Sequence, residues 1–401
     1  MIPGAGGRWP RIQPVPGSGR WLRAEPFGAT IAFRRPEMLV LVDRDFARRL
    51  GVRAFPEPAP DALPADPAQP YEAHLTLDAH CTQGCSCCYI DARPDAGPAL
   101  DAGAWEAVLE RLAALGVFHL ALGGGESTGW DLLLHLAHRA RRLGMTPNLT
   151  TAGLELTPRL VRRLRVFERV HLSLNGVGDA HAAVCGHDGY ERAVMGLRIL
   201  RAFHPRVGIN CVVARQNADR LPQLFALLDR LDVREVELLR FKPAGRGAHA
   251  FEHFDLTPQQ ALALVPRTLR LAWRHRLRVR LDCSFTPMVC ASGVAPERLA
   301  RLGLAGCVAG SWLVGIGPDG GLSGCSFDER TEAGWQQLGR SDLFPAYRQW
   351  VHSAPAPCAD CRWLPICRGG CHVVARHVCG DFHAPDPGCP LVRKAQSRGA
   401  G

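Results

Sequence analysis

The stretch that decides the fold is YEAHLTLDAHCTQGCSCCYI, residues 71–90. Its first eight residues alternate between apolar and polar side chains, as a half-buried strand does, and four cysteines follow almost at once. Cysteines at this density could hold a metal, close disulfides or fill space. The rest of the chain separates these alternatives.

Apolar runs alternate with amphipathic helical segments from residue 71 to residue 241, which is typical of parallel strands joined by right-handed crossovers. Such a sheet is either open and doubly wound or a full or partial barrel, and in both cases ligands bind at the carboxyl ends of the strands. The cysteine loop, GGGES (123–127) and SLNG (173–176) each follow a predicted strand, so we expect them to share one face. Six strands are predicted, near residues 72–78, 117–122, 147–151, 169–175, 207–213 and 235–241.

Length and cysteine content narrow the class of protein. The chain has 401 residues and 16 cysteines, enough for one large domain with smaller ones. The opening residues MIPGAGGRWPRIQPVPG (1–17) contain no apolar core, so we expect no secretion signal. No window of the sequence contains about 18 uncharged apolar residues in a row, so we expect no membrane helix. The predicted location is therefore cytoplasmic, where metal or redox chemistry is favoured over disulfides.

The charge is basic but gives little guidance on partners. The net charge of +10 comes almost entirely from arginine, since Lys242 and Lys394 are the only lysines. An acidic partner is one interpretation. Basic runs with interleaved aromatic residues are absent from the sequence, which argues against a nucleic acid as partner.

Cys81, Cys85 and Cys88 follow the spacing C-x3-C-x2-C. Three thiolates on one tight loop suit three irons of a [4Fe–4S] cube and leave the fourth iron open to a small molecule. A structural zinc ion normally takes four protein ligands. Cys87, within the same loop, is either a small packing residue, which we favour, or a fourth thiol that would compete during loading of the cluster. Taken alone, GGGES could be only a tight glycine turn.

Together these motifs resemble those of the radical S-adenosylmethionine (radical SAM) enzymes over roughly residues 71–245. The resemblance implies an α/β fold with a partial (β/α)6 TIM-like barrel, followed by a loop-rich iron–sulfur domain. It also implies reductive cleavage of S-adenosylmethionine to a 5′-deoxyadenosyl radical, which abstracts hydrogen from a substrate. By the same likeness the first [4Fe–4S] cluster is bound by Cys81, Cys85 and Cys88. The residues implied to contact S-adenosylmethionine are Gly124, Gly125, Glu126, Ser173, Asn175 and Tyr89.

One position departs from the pattern of the family. Many relatives carry an arginine beyond the fourth-strand serine that grips a carboxylate, and here that position lies near Cys185. Arg215 or Arg240 could replace it. Alternatively, hydroxyl and amide groups hold the carboxylate instead of an arginine.

The tail resembles the SPASM domain of radical SAM enzymes. Cys307 and Cys325 flank a predicted strand–turn–strand, and a C-x2-C-x5-C-x3-C run followed by one more cysteine completes the pattern. The likeness implies up to two auxiliary [4Fe–4S] clusters, one of them needing a fourth ligand from upstream. Cys283 is preferred as this ligand over Cys290, and if neither reaches the cluster, one iron stays open. Two zinc knuckles are the alternative interpretation. The implied ligand sets are Cys283, Cys307, Cys325 and Cys371 for one cluster, and Cys358, Cys361, Cys367 and Cys389 for the other.

The domain prediction has four parts: an N-terminal extension (1–70) with a β-hairpin and a Pro/Ala-rich linker, the barrel (71–250), a helix–strand bridge (251–282) and the SPASM domain (283–401). The hairpin, GATIAFRR followed by MLVLVDRDF, resembles the strand pair of modules that recognise leader peptides, or it simply caps the barrel.

The resemblance implies a peptide or protein substrate that is matured by the enzyme, and an electron donor such as flavodoxin or ferredoxin. Two alternatives stay open. One is a radical SAM step in haem or quinone-cofactor biosynthesis. The other is a non-catalytic iron–sulfur or zinc scaffold protein.

Overall fold

A computed structural model describes residues 13–15, 20–34, 37–59 and 61–399. Most of the opening segment in which no secretion signal is expected therefore lies outside the described residues. None of the described helices is long and apolar enough to cross a bilayer. The strands are β1 (Gln13–Val15), β2 (Arg20–Glu25), β3 (Gly28–Arg34), β4 (Glu37–Asp43), β5 (Glu72–Thr76), β6 (His119–Gly123), β7 (Thr146–Thr151), β8 (Val170–Ser173), β9 (Val207–Val213), β10 (Glu235–Arg240), β11 (Arg278–Leu281), β12 (Leu313–Ile316), β13 (Gly321–Ser323) and β14 (Ala333–Gly334). The α-helices are α1 (Arg44–Arg49), α2 (Ala102–Ala114), α3 (Leu133–Arg142), α4 (Pro158–Arg163), α5 (Asp179–Cys185), α6 (Tyr190–Phe203), α7 (Leu221–Arg230), α8 (Phe251–Phe254), α9 (Pro258–His275), α10 (Thr286–Ala291), α11 (Pro296–Arg301), α12 (Pro345–Gln349), α13 (Leu364–Cys367), α14 (His372–Cys379) and α15 (Pro390–Gly399).

The main sheet has ten strands in the order β11-β10-β9-β8-β7-β6-β5-β12-β13-β14. Strands β5 to β11 are parallel and follow one another in sequence order. The six strands predicted from the sequence are β5 to β10, and the predicted α/β class is confirmed. Because parallel strands share one carboxyl edge, the loops after β5, β6 and β8 lie at the same end of the sheet.

Helix α2 shows why these segments fold as they do. Asp101 caps it by accepting a hydrogen bond from the Ala104 N–H, and Trp105, Val108 and Leu112 repeat at helical spacing along one face. All three of these apolar side chains are completely buried in the main core. The helix therefore covers the sheet with a continuous apolar stripe.

The tail joins the same sheet. Strand β12 pairs in parallel with β5, with Val314 opposite Ala73, and β13 and β14 continue antiparallel. The cysteine-rich segment is thus bonded directly to the strand that leads into the first cysteine loop. The domain boundary at residue 283 stays a prediction. It lies where the sequence becomes rich in loops and cysteines, and the main sheet continues across it.

A second, antiparallel sheet precedes the barrel, in the order β1-β2-β3-β4. Strands β3 and β4 pair as the hairpin that the sequence predicts, while β1 and β2 were not predicted. The fully buried Arg23 anchors this sheet: it bonds Glu25 at 2.7 Å and donates to the carbonyls of Gln69, Pro70 and Gly116.

The Pro/Ala-rich linker contains no helix or strand in its described residues, in line with the sequence. It is nevertheless pinned at Asp66, whose side chain is buried. The Asp66 carboxylate accepts from Arg368 at 2.9 Å and from the Trp312 indole N–H at 2.9 Å. One acidic residue thus ties the linker to the cysteine-rich tail.

Candidate active site

The cysteine loop and the glycine turn after β6 are in direct backbone contact. The Gly125 N–H donates to the Asp78 carbonyl at 3.1 Å, and the Glu126 N–H donates to the His80 carbonyl at 3.1 Å. A Cβ on Gly125 would lie 1.9 Å from the His80 oxygen, so only glycine allows this approach. The glycines of GGGES are therefore needed to dock the turn against the cysteine loop, not just to close the turn.

Glu126 is held by the next loop along the sheet. Its Oε1 accepts from the Thr151 hydroxyl at 2.6 Å and from the Thr128 N–H at 3.1 Å, and its Oε2 accepts from the Ala152 N–H at 2.7 Å. The segment TTAG (150–153), in which β7 ends, therefore fixes the orientation of this carboxylate together with Thr128. This role of TTAG was not predicted from the sequence.

The end of α5 packs onto the cysteine loop from the other side. The Ser86 N–H donates to the Cys185 carbonyl at 2.8 Å, and its hydroxyl donates to the Val184 carbonyl at 3.2 Å. His187 Nε2 then lies 3.1 Å from Cys85 Sγ. The chain thus places a histidine next to the cysteine loop, near the position where the family resemblance led us to expect an arginine.

Two arginines were offered as replacements for the missing one. Arg240 is buried in an ion pair with Asp386, 2.6 Å between Nη1 and Oδ2. Arg215 is exposed, and its Nε donates to the Asp255 carbonyl. Neither guanidinium contacts the cysteine loop. The alternative of hydroxyl and amide groups stays open.

The remaining predicted contacts differ in their surroundings. Ser173 ends β8, opposite Asn210 of β9. Asn175 is buried; its Oδ1 accepts from the Val212 N–H at 2.8 Å, and its Nδ2 donates to Cys185 Sγ at 3.3 Å, so this side chain is engaged within the protein. Tyr89 packs on Phe327 of the tail with ring centroids 4.9 Å apart.

Burial shapes the protonation of groups around this loop. Burial is the largest cause of two pKa shifts here. It raises the pKa of Tyr89 to about 12 and lowers the pKa of His181 to about 4. The phenol and the imidazole are therefore both neutral at pH 7. A buried neutral His181 suits its contact with the backbone N–H of Asn175 at 3.1 Å.

Four thiols of the tail lie together near the carboxyl end of β11. Burial, followed by the Cys371 thiol, raises the pKa of Cys325 to about 12. Burial and then Cys325 and Cys371 raise the pKa of Cys307, and Cys307 also contributes to the raised pKa of Cys283 after burial and Asp282. Cys283 therefore lies close enough to Cys307 and Cys371 for their charges to interact, and the assignment of all four thiols to one cluster stays a prediction.

A second group of thiols lines one cavity of about 50 Å³ between α10, α13 and α15. Its walls contain Cys358, Cys361, Cys367 and Cys389, together with Cys290. Cys290 contacts Cys367 through its thiol. Of the two candidates for the upstream ligand, Cys290 therefore belongs with this group and Cys283 with the other.

Two buried carboxylates hold these groups of thiols in place. Asp386 accepts from Arg240, from the Cys371 N–H at 3.0 Å and from the Gly388 N–H at 2.8 Å. Asp328 accepts from the Tyr347 hydroxyl at 2.6 Å and from Arg376 at 2.8 Å. Sequence reasoning missed both, although each lies three residues from a predicted cysteine ligand.

Comparison with known proteins agrees with this arrangement. The model of the radical SAM superfamily matches residues 79–228, which include the cysteine loop, the glycine turn and the end of α5. Over 302 residues the chain is 30% identical to the mycofactocin maturase MftC of Mycolicibacterium smegmatis, covering 70% of this chain and 73% of that protein. The chain belongs to the radical SAM superfamily. This protein is therefore an enzyme, and its family implies a [4Fe–4S] cluster and S-adenosylmethionine as cofactors.

Other relatives of this radical SAM protein extend the likeness. The PqqA peptide cyclase of Gluconobacter oxydans is 28% identical over 341 residues, covering 81% of this chain and 92% of that protein. Among solved structures, Streptococcus suis SuiB bound to its precursor peptide SuiA superposes with a TM-score of 0.71 at 15% identity, over 95% of this chain and 99% of that one. At that identity the superposition shows the shared fold alone.

The residues present fit the cofactors of the radical SAM family. The donors at the front loop are three thiols, and after burial the neighbouring Cys85 and Cys88 contribute to the raised pKa of Cys81. Beside them, the buried Oδ1 of Asp78 has no hydrogen-bond partner among the described residues, which leaves an acceptor for a bound molecule. Among those residues no three His, Cys, Asp or Glu side chains converge as around a single ion, whereas each iron of a cube takes one thiolate.

Proposed function

We propose that this radical SAM enzyme is a peptide maturase that modifies a ribosomally made precursor and carries two auxiliary [4Fe–4S] clusters. The observation that carries the proposal is that the eight predicted tail ligands fall into two separate groups of thiols, the second of which also contains Cys290. Two relatives that cover most of the chain are named a maturase and a peptide cyclase, and the solved structure of SuiB contains a precursor peptide, which supports a peptide as substrate.

Three groups of thiols are assigned to three clusters in this proposal. The first cluster is held by Cys81, Cys85 and Cys88 on the loop after β5. Because burial raises the pKa of most of these thiols, iron binding must displace protons from them. The auxiliary ligands are Cys283, Cys307, Cys325 and Cys371, and Cys358, Cys361, Cys367 and Cys389.

The chain's own residues would orient the cofactor. When bound, the cluster and S-adenosylmethionine supply radical chemistry, the removal of a hydrogen atom from an unactivated carbon. Glu126, fixed by Thr151 and Ala152, presents a carboxylate to the amino group of the methionine moiety. Gly124 and Gly125 allow the glycine turn to approach the cysteine loop closely. Ser173 lies at the carboxyl end of β8, at the same end of the sheet. Tyr89, packed against Phe327, helps to exclude water. Asn175 would support this site through its own hydrogen bonds.

The N-terminal sheet is the proposed place for a leader segment of the substrate. In the described part of the chain β4 pairs only with β3, so its outer edge is free to accept another strand. Met38 and Leu41 on β4 and Phe46 on α1 are exposed apolar side chains beside this edge. An extended peptide would gain backbone hydrogen bonds from the strand and apolar contact from these residues.

Anaerobic reconstitution tests the proposal. We expect about twelve irons per chain, since three cubes carry four irons each, and reductant-dependent release of 5′-deoxyadenosine. Flavodoxin or ferredoxin should replace the chemical reductant. Cys85→Ala should abolish nucleoside release and leave about eight irons, whereas Cys379→Ala, which changes an exposed cysteine outside all three groups, should alter neither.

Two outcomes would contradict the assignment. Stoichiometric zinc in the tail with only four irons would leave the first cluster but remove the auxiliary ones. If a Leu41→Asp variant bound a precursor peptide as tightly as the parent does, the N-terminal sheet would be excluded as the docking site. A precursor gene beside this one would favour peptide maturation over a step in haem or quinone-cofactor assembly that acts on a free small molecule.

A further inference from the structure

His187 is a side chain at the front loop to which the proposed function gives no role. Its Nε2 lies 3.1 Å from Cys85 Sγ, within hydrogen-bonding distance. We propose that His187 donates an N–H···S hydrogen bond to the Cys85 thiolate and thereby raises the reduction potential of the front cluster. The inference rests on the proposed function in one respect, the ligation of iron by Cys85.

The contact is held by backbone structure on both sides. Two hydrogen bonds from Ser86, next to Cys85, go to the carbonyls of Val184 and Cys185. Gly186, next to His187, has a φ of 79° and ends α5 in the left-handed conformation that favours glycine. A Cβ at Gly186 would lie 2.7 Å from the Ser86 hydroxyl, so the two segments approach as closely as a glycine permits.

The direction of the hydrogen bond follows from the chemistry of a ligating cysteine. A free thiol could donate to the imidazole or accept from it. Once Cys85 binds iron its sulfur carries no proton and can only accept. A neutral imidazole has one N–H, so the short contact requires the tautomer with the hydrogen on Nε2. His187 is partly exposed, and no change of its charge is needed for this role.

The sign of the effect follows from the charge of the cluster. One-electron reduction adds a negative charge that is shared with the sulfur ligands, so an N–H donor stabilises the reduced form more than the oxidised form. Loss of the donor should therefore make the cluster harder to reduce. We expect about a tenfold drop in the ratio of reduced to oxidised cluster at a fixed potential, which for one electron corresponds to about 59 mV.

The test compares three variants of the reconstituted, full-length protein. His187→Phe keeps a ring of similar size without a donor, His187→Gln restores an N–H at similar reach, and His138→Ala removes an exposed histidine on α3. The readout is the midpoint potential of the front cluster, followed by electron paramagnetic resonance during an anaerobic redox titration. The front cluster is identified by the change in its signal when S-adenosylmethionine is added.

We expect the midpoint to become more negative in His187→Phe, to return towards the parent value in His187→Gln and to be unchanged in His138→Ala. A parent-like midpoint in His187→Phe overturns the inference. If His187→Phe loses iron, His187→Ala takes its place in the comparison with His187→Gln, and equal midpoints in those two variants also overturn it. A Cys85→Ala protein that keeps the front cluster instead overturns the ligand assignment, so the two failures are distinguishable.

Discussion

At the scale of single residues, Glu126 shows how the site is built from several loops. The carboxylate belongs to the turn after β6, but the groups that orient it come from the end of β7 and the residue after it. Four donors converge on its two oxygens, because the N–H and the hydroxyl of Thr128 in its own turn also donate to Oε1, and together they fix the direction of the carboxylate. Such a group is prepared to bind an ammonium group without reorganising.

We expect Glu126→Gln to weaken binding of S-adenosylmethionine by roughly 10- to 100-fold, because a charged hydrogen bond contributes about 1.5–3 kcal/mol. Equilibrium dialysis of the reconstituted protein measures the change. Glu155→Gln, an exposed carboxylate after the same strand β7, should bind S-adenosylmethionine as the parent does. Equal affinities of the Glu126 variant and the parent would contradict the contact.

Gly125 offers a second prediction at this scale. An alanine Cβ would lie 1.9 Å from the His80 carbonyl oxygen, so the turn and the cysteine loop must separate. We expect Gly125→Ala to lower the free energy of unfolding by about 1–3 kcal/mol, as overpacking does, and to reduce iron retained at the front loop. Gly97→Ala is the matched control, since nothing lies within 4 Å of its added Cβ. Normal iron retention in Gly125→Ala would contradict the close approach.

At the scale of elements, the buried Arg240–Asp386 pair connects β10 to the two groups of tail thiols. Asp386 also accepts from the Cys371 N–H, so one carboxylate fixes a ligand loop and a barrel strand together. The side chain of Asp386 is fully buried and that of Arg240 is 1% exposed. Breaking such a pair leaves the buried Arg240 charge with only the longer contact to Asp255, 3.9 Å away.

We expect Asp386→Asn to lower the free energy of unfolding by about 3–5 kcal/mol and to reduce auxiliary iron. Denaturant unfolding and iron analysis under anaerobic conditions measure the two effects. Asp342→Asn, which breaks an exposed pair with Arg340, should change neither noticeably. If both variants behave like the parent, the pair does not organise the tail.

At the scale of the whole molecule, two sets of contacts connect the barrel with the cysteine-rich tail and with the N-terminal sheet. Strand β12 extends the main sheet beside β5, and Arg23 connects the N-terminal sheet to the amino ends of the barrel strands. The Arg23 guanidinium also lies over the Tyr71 ring, 4.8 Å from its centroid. Its loss would leave Glu25 buried and unpaired, and burial already raises the pKa of that carboxyl.

We expect Arg23→Ala to release the N-terminal sheet while the barrel remains folded. Limited proteolysis should then cleave between residues 55 and 70 faster than in the parent, with nucleoside release from S-adenosylmethionine preserved. Arg49→Ala, an exposed change at the end of α1, should show parent-like cleavage. Loss of the whole fold in Arg23→Ala would show instead that the two sheets unfold as one unit.

The sequence alone determined the strand–helix repeat, the six parallel strands, the front cysteine loop and the family, because alternating apolar patterns and cysteine spacing are local properties. Only the tertiary structure decided that Cys283 lies near Cys307 while Cys290 lies near Cys367, that β12 pairs with β5, and that His187 lies beside Cys85. These facts depend on which distant segments pack together. Packing is set by burial and by hydrogen bonds between residues far apart in the chain, and no spacing within a motif encodes it.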